Sequence, residues 1–163
     1  MSIYFNADEI LQMAGQIERN GIYFYGQAAK TPTAQMFLRL AAMEEEHEKI
    51  FARMRADLTE QERKTAVADP DNQASAYLRA WADAHVFDVR TNPAERLTGK
   101  EKGEDILQMA IGLEKDSIVF YLGMKDAIPE RLGRSKIDEI IREEMGHIAT
   151  LSRELESLRH QLI

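Results

Sequence analysis

The stretch ILQMAGQIERNGIYFYGQA, residues 10–28, returns without a gap as ILQMAIGLEKDSIVFYLGM, residues 106–124, with nine of nineteen positions identical. Repeats of this kind reveal architecture before any local reading does. In each copy the apolar residues recur at helical spacing, so each copy is one long helix. Each contains a single Glu inside the stripe, Glu18 and Glu114, and a Tyr seven residues on, Tyr25 and Tyr121. Seven helical residues turn through about 700°, which brings each Tyr to within about 20° of its Glu, two turns along.

The segments that follow each copy also correspond. MEEEH at 43–47 and EEMGH at 143–147 both hold Glu-x-x-His, Glu44 with His47 and Glu144 with His147. Spacing of three puts Glu and His on one helix face. Between copy and motif lie turn signals, KTPTAQ after the first copy and PERLGRS after the second. The lone Glu stands about as far before each turn as the motif Glu stands after it. In an antiparallel hairpin the two therefore reach the same depth.

The rest of the chain fits two such hairpins. Asn6 and Glu9 have capping-box spacing, which starts the first helix and carries it to about residue 29. Thr31 as cap and Pro32 at the first helical position open a second helix over 32–57. A third helix is expected over about 103–127 and a fourth to about 160. Residues 58–102 form a polar, turn-rich crossover. Within it ASAYLRAWADAHVF, 74–87, spaces Tyr77, Trp81 and His85 four apart, a short helix lying on something larger. The expected fold is all-α: a four-helix bundle of hairpins 6–57 and 103–160 joined by crossover 58–102, in one domain spanning 1–163.

Composition narrows the function classes. The 163 residues suit one domain with a sizeable core. A net charge of −7 and no concentrated Lys/Arg block argue against nucleic acid as partner. Cysteine is absent, which excludes disulfides and thiolate metal sites. No apolar run approaches a bilayer's thickness and MSIYFNADEI has no signal-peptide pattern, so the expected compartment is the cytoplasm. His160 reads as solvated, His85 as a packed or surface residue, and the eight Met as core filler.

Folding the hairpins together about a pseudo-two-fold axis brings Glu18, Glu44, His47, Glu114, Glu144 and His147 to one level. Bare carboxylates buried together repel one another and lose hydration, so they must protonate or acquire a cation. Two divalent metals supply that charge. Glu45, Glu46 and Glu48 remain as solvent-facing acids.

These residues resemble the ferritin-like di-iron carboxylate superfamily, in which a Glu from each of two helices joins a Glu-x-x-His from each of the other two. Through ILQMAGQIERNGIYFY, AAMEEEHEKIF, LEKDSIVFY and IREEMGH the chain is most similar to the rubrerythrin-type branch. The resemblance implies two iron ions as cofactor, with manganese or zinc as substitutes. It implies that Glu44 and Glu144 bridge, His47 and His147 ligate one ion each, and Glu18 and Glu114 are terminal. It also implies that Tyr25 and Tyr121 donate hydrogen bonds to the ligands. Two departures stand out: Ile111 occupies the position of a further Glu common in rubrerythrins, and a cysteine-free chain forms no rubredoxin centre. The resemblance thus implies oxidation of Fe(II), or reduction of peroxide or O₂, with an external, rubredoxin-like electron donor. Non-catalytic iron binding, trafficking or sensing, and a structural helical module with a degenerate site, are the alternatives. Bundle faces of this kind favour a homodimer.

Overall fold

The computed structural model describes residues 5–30, 34–67, 73, 76–78, 80 and 93–161. Four long helices account for most of it: α1 Ala7–Ala28, α2 Ala34–Ala56, α4 Gly103–Met124 and α5 Arg134–Gln161, with a short α3, Glu60–Lys64, after α2. α1 starts at the expected capping box: Glu9 N–H donates to Asn6 Oδ1 and Asn6 N–H to Glu9 Oε2, both at 2.9 Å. The proposed cap of α2, Thr31 with Pro32, lies outside the described residues.

α4 ends at Met124, about one turn earlier than its apolar pattern suggests. Ala127 N–H turns back to Met124 O at 2.9 Å, tightening the chain ahead of Pro129. The PERLGRS turn contains a 3₁₀ segment, Glu130–Leu132, and closes on Gly133 at φ +92°, a left-handed conformation that a side chain would strain. α3 was not expected, since within the crossover 58–102 only 74–87 read as helical. Its own capping box, Thr59 with Glu62, holds it. In the crossover, residues 73, 76–78 and 80 are helical, and the Tyr77 O–H donates to Val119 O of α4. The Tyr77 ring fills the space over Gly123, where a Cβ would lie 2.2 Å from it. Trp81 and His85 lie outside the described residues.

The core is split into two apolar layers. Ile10, Leu11, Phe51, Met54, Phe120, Ile137 and Ile140 belong to one, and Phe24, Phe37, Leu40, Ile106, Leu107 and Leu151 to the other. Every long helix passes from one layer to the other, and the two layers order the helices. α1 and α5 run one way, α2 and α4 the other. Since α2 ends at the layer opposite the one where α4 begins, the crossover must travel the length of the bundle, about 33 Å for helices of this size. Between the layers, at mid-height on all four helices, lies a charged stratum.

Candidate metal centre

α1 contributes Glu18 to that stratum, α2 Glu44 and His47, α4 Glu114, α5 Glu144 and His147. None is more than 4% exposed, so water cannot solvate their charge. Their ligand-type atoms form two quartets, each within 4.8 Å: Glu18, Glu44, His47 and Glu144; and Glu44, Glu114, Glu144 and His147. Glu44 and Glu144 belong to both. All six residues singled out from the sequence meet, one pair of carboxylates sitting between two sets of donors.

The contacts obey a pseudo-two-fold. His47 Nδ1 lies 3.0 Å from Glu144 Oε1, 3.5 Å from Glu18 and 3.8 Å from Glu44. His147 Nδ1 lies 3.3 Å from each of Glu44, Glu114 and Glu144. The two rings face each other, centroids 6.0 Å apart and 19° from parallel. Yet Glu18 Oε2, Glu44 Oε1, both Glu144 oxygens and both Nδ1 atoms are buried without a hydrogen-bond partner. Each such atom costs about 1–3 kcal/mol if nothing else satisfies it. Close donor atoms that do not bond one another are what a cation between them requires.

Electrostatics describe how the metal-free protein tolerates the cluster. Burial, then the neighbouring Glu44 charge, pushes Glu18 well above the usual carboxylate range. Burial and the Glu144 charge do the same to Glu114. Burial also opposes charge on Glu44 and Glu144, but their polar contacts with the other acids and both imidazoles prevail and hold them low. For the imidazoles burial is again outweighed: the surrounding carboxylates raise His47 strongly and push His147 up to about 12. The cluster thus favours charge on both imidazoles and on Glu44 and Glu144, and protonation of Glu18 and Glu114.

The tyrosines cross between hairpins. Tyr25 O–H donates to Glu114 Oε1, and Tyr121 O–H to Glu18 Oε1. Burial, followed by those carboxylate charges, holds both phenols well above 10. Tyr25 stacks on Phe37 and Tyr121 leans on Phe51, ring centroids 5.9 and 5.2 Å apart.

Two features were not read from the sequence. Glu143, one residue before Glu144, places Oε2 2.7 Å from His47 Nε2. A carboxylate accepts, so this pairing puts a proton on Nε2 and turns Nδ1 inward. And a cavity of about 10 Å³, room for about one water molecule, lies between Ile17, Gly21, Tyr25, Glu44, Leu113, Glu114 and Ser117. Gly21 and Ser117 are aligned positions of the repeat, and both are small. A Cβ on Gly21 would stand 3.2 Å from Glu44 Cγ, tighter than packing normally allows.

No family model and no curated protein matches the chain. Among solved structures it is similar to a Thermotoga maritima protein, proposed to be a ferritin-like diiron-carboxylate protein. The TM-score is 0.68 at 23% identity, over 94% of this chain and 96% of that one. The fold is ferritin-like.

In the ferritin-like bundle the donors are carboxylate oxygens and imidazole nitrogens, a set that suits iron, manganese or zinc. Ile111 packs against an apolar layer. His160 is exposed near the end of α5. Among the described residues no helix is long and apolar enough to cross a membrane.

Proposed function

We propose that the chain is a dinuclear carboxylate protein that holds two iron ions and uses them for redox chemistry with O₂, peroxide or Fe(II). The observation that carries this is the pair of quartets sharing Glu44 and Glu144. Glu44 and Glu144 would bridge. Glu18 with His47 would complete one ion's set, and Glu114 with His147 the other's. Two neighbouring irons supply two electrons together, which O₂ and peroxide chemistry needs.

The chain's own residues prepare that site. Glu18 and Glu114 would give up their protons and each histidine the one on Nδ1, so that Nδ1 can bind while Nε2 keeps its own. Tyr25 and Tyr121 orient the terminal carboxylates through their O–H groups. The two apolar layers above and below exclude bulk water. Electrons would come from an external donor, because the chain has no cysteine with which to carry a second iron centre.

Anaerobic titration with Fe²⁺ tests the reading. Two equivalents per chain should saturate the protein, and peroxide or air should then produce near-ultraviolet ferric absorption. Stopped-flow oxidation with each oxidant separates peroxide reduction from ferroxidase behaviour. Two tightly bound irons that react with neither would favour iron trafficking, and no saturation would end the dinuclear reading.

A further inference from the structure

The pseudo-two-fold is broken at the outer nitrogens of the two histidines. Tyr25 to Glu114 is mirrored by Tyr121 to Glu18, and His47 among Glu18, Glu44 and Glu144 is mirrored by His147 among Glu114, Glu144 and Glu44. His47 Nε2, however, pairs with Glu143 at 2.7 Å, while His147 Nε2 is buried with no hydrogen-bond partner among the described residues. Aligning MEEEH with EEMGH shows why: Glu143 corresponds to Met43. A thioether is a weak acceptor and cannot replace a carboxylate.

We propose that the two metal positions are inequivalent, the His47 position being the tighter, because Glu143 positions His47 and no counterpart positions His147. The inference rests on the dinuclear reading above and adds an order of loading to it. A carboxylate on the outer imidazole nitrogen fixes ring orientation and tautomer, and raises the donor strength of the inner nitrogen. Loss of such a partner costs about 10–100-fold in metal affinity. The His47 set, Glu18, Glu44, His47 and Glu144, should therefore fill first. Glu143 is a positioning residue; it touches the imidazole and not the metal.

Co²⁺ is the probe, since it stays divalent in air and its visible absorption reports coordination. Wild-type protein should bind two Co²⁺ in separable steps. Glu143→Gln should weaken the first step about 10–100-fold and leave the second in place. Met43→Glu, at a position 37% exposed where a carboxylate is readily accommodated, should instead strengthen the second step. At one equivalent of Co²⁺, proton NMR should show one shifted, slowly exchanging imidazole N–H, whose exchange Glu143→Gln should speed. Circular dichroism of the metal-free variants confirms that each is folded. Failure of wild type to bind Co²⁺ in stoichiometric amount would overturn the dinuclear reading. Two bound Co²⁺ with both steps unmoved by Glu143→Gln, or a second step unmoved by Met43→Glu, would overturn the inequivalence alone.

Discussion

At the scale of single residues, position within an acidic run decides everything. Glu44 is buried, while Glu45 and Glu46, the next two residues, are exposed. One residue around a helix is a rotation of about 100°, enough to move a carboxylate from the stratum to solvent. Glu144→Gln should abolish binding of the metal pair, since it removes a carboxylate shared by both quartets and keeps the volume. Glu45→Ala and Glu46→Ala should leave stoichiometry at two. Metal analysis of the three variants after gel filtration checks this, and equal losses in all three would show the wrong face has been assigned. The six donors were legible because the repeat gave their depth and Glu-x-x-His their face. Glu143 was not. Its relation to His47 crosses between hairpins, and no pattern along one helix encodes which outer acid reaches an imidazole on another.

At the scale of the element, the helices follow from apolar spacing and caps, and their ends do not. α3 was passed over although Thr59 and Glu62 carry the capping-box spacing, because five polar residues present no stripe to bury. That α1 and α2 meet at Glu44 was expected from the matched depths, but how closely was not, since the approach depends on the missing side chain of Gly21. Gly21→Ala tests that contact. The added methyl, 3.2 Å from Glu44 Cγ, must displace the Glu44 side chain or the helix. Metal affinity should fall about tenfold or more, comparable to losing a partner of a ligand. Helix propensity favours Ala over Gly by about 1 kcal/mol, so the metal-free variant should melt no lower than wild type. Isothermal titration and thermal melting read the two effects apart. Gly26→Ala, where nothing lies within 4 Å of the added atom, is the control and should change only the melting temperature.

At the scale of the whole molecule, the charged stratum makes stability depend on protons and metal together. Glu18 and Glu114 have raised pKa values, so their contribution is complete below the unfolded value of 4.5 and is lost as pH rises. The raised histidines likewise lose theirs as pH rises above their unfolded value of 6.5. Glu44 and Glu144 are lowered and act in the opposite sense, losing theirs as pH falls below 4.5. Metal-free protein should thus be most stable at about pH 5 and melt progressively lower toward pH 8. Metal must displace those protons, so its stabilising increment should grow over the same interval. At a hundredfold excess over the dissociation constant that increment is about 2.7 kcal/mol, roughly 5–10 °C for a chain this long. Calorimetry of chelator-treated and metal-loaded protein at pH 5 and 8 measures both trends. A metal-free melting temperature that does not fall between them would contradict the protonation pattern of the stratum.

Parallel placement of α2 and α4, which forces the crossover along the bundle, has a kinetic consequence. Each hairpin closes through contacts near in sequence, and such contacts form early and fast. Joining the hairpins requires pairings far apart in the chain, and every quartet draws three donors from one hairpin and one from the other. A metal that needs a whole quartet can recognise only the joined state, after the slow step is over. It should accordingly act as a latch, prolonging the native lifetime many-fold while leaving the rate of folding almost untouched.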